Sequence, residues 1–185
     1  MDDGFAELRV LLVYENKKVA GLIRLALSAL GMSDIIDAAS AAEALRQVTS
    51  KEPDVVILDV LVDGGDGFSL VRALRDVSIS PNPYMPIVVA SGHGEESTIK
   101  AAINAGVHEF VRLPLSPKML AQRIYSAVFI GRPMIDVRSY FGPDRRRYAD
   151  PFYEGPERRA ESEREASRRM SKRAAAEKKF AERLK

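Results

Sequence analysis

Two residue patterns in this 185-residue chain could do chemistry. The first is a short repeat. Tyr140-Phe141-Gly142-Pro143-Asp144-Arg145-Arg146 recurs at an offset of 13 residues (153 − 140) as Tyr153-Glu154-Gly155-Pro156-Glu157-Arg158-Arg159. The shared pattern is Tyr-x-Gly-Pro-acid-Arg-Arg, and Arg147 extends the first arginine pair. Gly-Pro marks a turn, so an irregular, non-helical backbone is expected to present the arginines. A guanidinium binds phosphate bidentately, reads guanine O6 and N7 bidentately, and stacks flat on a base. Carboxylates such as Asp144 and Glu157 can accept from guanine N1–H and N2–H₂, and Tyr140 and Tyr153 add stacking faces. A ligand with two guanines and two phosphates would use two such copies, and cyclic di-GMP has that composition. The bland alternative is a pair of surface turns with internal salt bridges, which contribute little and leave the duplicated tyrosine without a role.

The second pattern emerges from the elements that would position it. Short apolar runs predict strands at 8–13, 34–38, 53–59, 86–91 and 109–112. Helical spacing predicts helices over 16–30, 40–50, 66–76, 95–105 and 116–130. Gly31 and Gly106 act as C-terminal stops, and Ser40 with Glu43 forms a capping box. Continuously apolar strands alternating with helices indicate an α/β fold whose parallel sheet is covered on both faces. Sites in such sheets lie at the carboxyl ends of the strands. The strand exits here are Tyr14-Glu15, Asp59, Ser91 and Leu113: acids after the first and third strands, a hydroxyl after the fourth.

In that order these residues resemble the receiver domain of two-component response regulators, the CheY-like (βα)5 flavodoxin-type fold, over roughly residues 7–130. Leu58-Asp59 followed by Asp66-Gly67-Phe68 is similar to the family's phosphoacceptor segment, Ser91 to its switch hydroxyl, and Phe110 to its switch aromatic. The resemblance implies phosphorylation of Asp59 by a histidine kinase, with Mg²⁺ held by acids and a lysine pairing the phosphoryl oxygens. Here Tyr14-Glu15 stands where the family has its acidic pair, leaving Glu15 and Asp59 as the metal-facing carboxylates. Leu113 occupies the lysine position, and Asp63 stands where the family usually has proline. Mg²⁺ binding is therefore expected to be weak or absent. Arg112 neighbours Leu113 but should point to the opposite face.

The repeat and its flanks, about 132–159, are similar to the arginine-rich extension of the CheY-like c-di-GMP effectors, the Cle group. That resemblance implies a protein partner at the flagellar motor switch, docked on the helix–strand–helix face over about 95–130, and control of motility. A histidine kinase is the partner under the competing reading of a phosphorylation-dependent regulator. A constitutive docking adaptor that has lost both inputs is a third reading. Neither leading reading makes the chain an enzyme.

Composition sets the outer bounds. There is no cysteine, which excludes disulfides, thiolate metal sites and a cysteine nucleophile. The two histidines, His93 and His108, are expected on the solvent side with no third ligand to make a metal site. The acidic start is no signal peptide, and no apolar run approaches the roughly 20 residues of a membrane helix, so a soluble, cytoplasmic chain without a membrane partner is expected. Residues 1–130 carry 12 Lys+Arg and 16 Asp+Glu, a balance of −4, and residues 131–185 carry 16 and 10, a balance of +6. That excess is mild for a polyanion binder, which argues against nucleic acid. The chain divides into a body, 1–130; an arginine-rich ligand-binding tail, 131–159; and a charged helix, 160–185. The tail is too poor in aliphatics to build a core alone.

Overall fold

A computed structural model describes residues 5–137 and 139–145. Five parallel strands, β1 (Val10–Val13), β2 (Ile35–Ala38), β3 (Val55–Leu58), β4 (Ile87–Ser91) and β5 (Glu109–Arg112), form one sheet in the order β2-β1-β3-β4-β5. Between and after them lie α1 (Lys17–Ala29), α2 (Ala41–Lys51), the single turn α3 (Val62–Gly65), α4 (Gly67–Arg75), α5 (Glu96–Ala105) and α6 (Pro117–Tyr125). This is the flavodoxin-like arrangement that the alternation of apolar strands and helices predicts. The ends differ by a residue or two, except that α6 gives way to a π-helical turn over Ser126–Ile130.

Strand period and helix period together divide the core in two. Leu12 and Ile57 face one side of the sheet, where Ile23 and Leu27 of α1 and Leu120 and Ile124 of α6 cover them. Leu11, Val13, Val56 and Leu58 face the other, under Val48 of α2, Leu70 and Leu74 of α4, and Ala102 of α5. Caps fix the helix starts. Asn16 accepts from the Lys18 and Val19 amides, Ser40 from Glu43, and Ser116 from Met119. Glu43 completes the predicted capping box by accepting from the Ala39 amide. Gly67 has no room for a side chain: a Cβ there would lie 2.5 Å from the Asp59 carbonyl oxygen. The glycine thus lets α4 start directly beside the end of β3. Among the described residues no helix is long and apolar enough to cross a membrane.

Beyond α6 the chain turns back as an antiparallel hairpin, β6 (Met134–Val137) and β7 (Tyr140–Pro143), pairing Ile135 with Gly142 and Val137 with Tyr140. The first copy of the repeat thus opens on a regular strand where an irregular backbone was expected. The physical reason is a partner surface on the body: Phe141 meets the Tyr84 ring edge-on at 5.4 Å. Pro143 closes the strand at an edge, where no ladder amide is required. Arg138, Arg146, Arg147, Tyr153, Glu157, Arg158, Arg159 and the expected helix over 160–185 lie outside the described residues.

Candidate functional site

The strand exits converge at the carboxyl end of the sheet. β3 ends at Leu58 and β4 at Ser91, and the Ser91 hydroxyl donates to Asp59 Oδ1 at 2.6 Å. The same hydroxyl oxygen accepts from the His93 amide at 3.2 Å. Tyr14 follows β1 and is buried, 3% exposed. Its hydroxyl donates to the Ala90 carbonyl at 2.6 Å. Burial, aided by the nearby Asp59 charge, raises its phenol well above the usual range, so it stays protonated and remains a donor. Glu15 Oε1 accepts from the Gly64 amide at 3.2 Å, and Asp63, at a positive φ of 53°, accepts from the Ala41 amide at 3.0 Å. Leu113 packs its side chain at the edge of the core beneath α1 and α6, while exposed Arg112 lies along Gly94. Phe110 is half-buried against the opposite core layer.

These donors do not fit the Mg²⁺ that the receiver resemblance implies. A hard dication of that size demands near-octahedral oxygens from acids and water. Here a protonated phenol fills the first acid's place, Glu15 Oε1 holds a backbone amide, and Asp59 Oδ1 holds Ser91. Among the described residues no three His, Cys, Asp or Glu side chains converge as a metal site.

A second constellation lies at the opposite, amino-terminal end of the same strands, and its centre is a residue that sequence reasoning missed. Arg75, the last residue of α4, is 4% exposed. All five of its N–H groups find neutral acceptors. Nε and Nη2 donate to the Gly106 carbonyl at 3.0 and 2.8 Å, Nη1 to the Pro83 and Met85 carbonyls at 2.8 Å each, and Nη2 to His108 Nδ1 at 3.0 Å. Burial pushes this guanidinium down to about 9, with Tyr140 opposing the shift. His108 is 6% exposed, not on the solvent side. Its Nδ1 also accepts from the Ile87 amide at 3.1 Å. Two N–H donors on Nδ1 leave the proton on Nε2, and a second proton would break both bonds. Burial and the charges of Arg75 and Arg132 accordingly hold the imidazole well below its usual pKa.

The hairpin docks on this end. Gly106 ends α5 at a φ of +100°, and Gly142 of β7 rests on it so closely that a Cβ on Gly142 would lie 2.7 Å from the Gly106 Cα. Arg132 donates to the His108 carbonyl and, at 2.8 Å, to the Asp144 carbonyl. The Asp144 amide donates to the Pro133 carbonyl at 2.8 Å. The Tyr140 hydroxyl donates to the Pro143 carbonyl at 2.7 Å, and the Arg145 guanidinium lies over the Tyr140 ring, 3.9 Å from its centroid. Of the predicted ligand residues the structure therefore brings Tyr140, Asp144 and Arg145 together, with Asp144 engaged through its backbone. Nothing in the local sequence marks Arg75 or His108. An arginine in a last helical turn reads as a solvated helix end, and the acceptors that hold it, Pro83, Met85, Gly106 and His108, lie 8 to 33 residues downstream.

Comparison with known proteins bears on the body. Residues 10–125 match the family described as the response regulator receiver domain. The KDP operon transcriptional regulatory protein KdpE of Escherichia coli K12 is 30% identical over 119 residues, 64% of this chain and 50% of that protein. The transcriptional regulatory protein GlrR of the same strain is 32% identical over 129 residues, 70% of this chain and 28% of that protein. A solved structure described as a response regulator from Chloroflexus aurantiacus J-10-fl is 30% identical, with a TM-score of 0.59 over 65% of this chain and 97% of that one. The chain thus spans half or less of the length of these two curated relatives.

Proposed function

The chain belongs to the response regulator receiver family, and from that premise we propose that it is a non-enzymatic effector governed by cyclic di-GMP. In this reading the second messenger binds the arginine-rich repeat and changes the surface offered to a protein partner. The Cle-type resemblance suggests a flagellar motor switch protein, and hence motility, as the output. The observation that carries the proposal is the first copy of the repeat, in which the Arg145 guanidinium lies over the Tyr140 ring. A cation layered on an aromatic face is a ready platform for a further planar base. The test is calorimetric titration of the full chain with c-di-GMP, GTP and c-di-AMP in parallel. Selective binding of c-di-GMP is expected, with a gentle salt dependence. No binding of c-di-GMP would remove the reading. Steep salt dependence with equal affinity for any oligonucleotide would point to a nucleic-acid binder instead.

Phosphorylation as the input is the second reading, favoured by the Ser91–Asp59 hydrogen bond. Against it stand the apolar Leu113, the protonated Tyr14 and the poor fit to Mg²⁺, which leave a phosphoryl group on Asp59 without the charges that would stabilise it. Acetyl phosphate with Mg²⁺ should therefore modify Asp59 poorly by mass spectrometry. The double variant Tyr14→Asp/Leu113→Lys should raise the yield. Rapid, near-complete acyl phosphate on the wild-type chain would make phosphorylation the better reading.

A further inference from the structure

The docked hairpin leaves a crevice between itself and the body, a cavity of about 300 Å³ lined by Arg72 and Arg75 at the end of α4, Asn104 of α5, and Ser139, Tyr140 and Phe141. We propose, resting on the c-di-GMP reading, that this crevice seats one guanylate unit of the ligand, so that the receiver body itself, through Arg72 and Asn104, forms part of the nucleotide site.

Three independent observations converge. The first is charge. Arg75 closes the crevice with a buried guanidinium whose N–H groups all go to neutral acceptors. Neutral dipoles hold its protons but leave its positive charge in place, so an anion entering the crevice is attracted without displacing any existing bond. Asp76 also lines the crevice; the Ser78 amide and hydroxyl donate to its Oδ1 at 2.8 and 2.7 Å, and its retained negative charge offsets one of the two guanidinium charges, so that Arg72 and Arg75 leave the lining net positive. The second is chemistry. Arg72 is a largely exposed guanidinium whose Nη2 donates to Ser69 Oγ at 2.6 Å and lies 3.8 Å from Asp66 Oδ1, with its remaining N–H groups suited to phosphate; Asn104 carries an amide donor and acceptor for a purine edge, and Tyr140 supplies an aromatic wall. The third is size. The volume stands at the small end of the roughly 300–1,000 Å³ usual for small-molecule pockets, which suits one nucleotide unit better than a whole cyclic dinucleotide. The Arg145 stack on Tyr140 lies at the edge of the same space, so base, tyrosine and arginine can share one layered arrangement.

Arg72 and Asn104 lie on the body, outside the repeat, and a ligand held by the repeat alone would not register their loss. The experiment is calorimetric titration of the full chain with c-di-GMP, comparing wild type, Arg72→Ala, Asn104→Ala and the charge control Lys18→Ala on α1. Thermal midpoints of each variant would confirm that all are folded. Arg72→Ala should weaken binding about tenfold, the loss of a charge-assisted hydrogen bond, and Asn104→Ala by about fivefold. Lys18→Ala should leave affinity unchanged. Tight wild-type binding that neither Arg72→Ala nor Asn104→Ala alters would overturn the crevice while sparing the ligand. Equal weakening by Lys18→Ala and Arg72→Ala would reduce the effect to net charge and overturn it too. Absence of wild-type binding would remove crevice and ligand together.

Discussion

The same strands carry two polar constellations at their two ends, and they are built on opposite plans. At the carboxyl end, Ser91 donates to Asp59 and Tyr14 to the Ala90 carbonyl across short bonds, while Glu15 and Asp63 accept from the Gly64 and Ala41 amides. The carboxylates of Glu15, Asp59 and Asp63 collect there. At the amino end a buried arginine gathers four backbone bonds and a histidine, with a hairpin over it. The positive charge of Arg75 is held there by neutral acceptors. Ile87 and Ser91 are only four residues apart on β4, roughly 13 Å along an extended strand, so one short strand links them. The difference teaches where each end can respond. The carboxyl end is satisfied by its own neighbours and offers little to a phosphate. The amino end is ordered by bonds within the body, is covered by the hairpin, and presents a charge that an anion could answer.

That contrast can be broken from the amino end first. Arg75→Met should be the most damaging substitution, because it takes the Arg75 donors from the Gly106, Pro83 and Met85 carbonyls and leaves His108 Nδ1 with the Ile87 amide alone. A loss of about 3–5 kcal/mol is expected, read by urea unfolding. An effect below about 1 kcal/mol would mean that the buried cation does not organise this end.

Next in size is Gly142→Val. The added side chain meets Gly106 and the Tyr140 hydroxyl, so the hairpin should lift, at about 1–3 kcal/mol. Hydrogen exchange should then rise over 134–143 while β1 to β5 stay protected. Uniform loss of protection would show that the hairpin and the body unfold as one unit.

The pH response follows from His108. Its folded pKa is depressed below the usual value of about 6.5, so the unfolded chain binds more protons as pH falls through that value. Its contribution is fully present above about pH 6.5 and is lost below it, at up to about 1.4 kcal/mol per pH unit. Urea unfolding at pH 7.5 and 5.5 should show the loss, and His108→Gln should flatten it. The smallest effect belongs to the carboxyl end. Asp59→Asn keeps an acceptor for Ser91 and removes a charge near Tyr14 and Asp63, so stability should change by less than about 1 kcal/mol. A larger fall would give Asp59 a structural role beyond its part-buried bond to Ser91.

The two ends were also unequally legible in the sequence. Strand exits follow directly from apolar runs, so Asp59, Ser91 and Tyr14 could be brought together before any coordinates. The Ser91–Asp59 bond joins the ends of the neighbouring strands β3 and β4, and the Tyr14 hydroxyl reaches past β3 to the Ala90 carbonyl of β4. The amino end depends on contacts between α4, the approach to β5 and a hairpin near residue 140, a separation over which periodicity says nothing. Met134-Ile135-Asp136-Val137 does alternate, but Gly142-Pro143 signalled a turn and masked the returning strand. His108, between Val107 and Glu109, carries no mark of burial at all. What could have raised the question is Arg75 itself, which sits on the same face of α4 as Val71 one turn earlier and would otherwise be read as a solvated end.

The contact between Gly142 and Gly106 has a consequence for symmetry. The repeat is duplicated in the sequence, but the body carries a single Gly106, and Gly142 of the first copy rests on it. A two-fold symmetric ligand would therefore meet two unlike half-sites on one chain. Its halves would be held with different strengths, and the order in which they engage would be decided by the protein even though the ligand is indifferent to it.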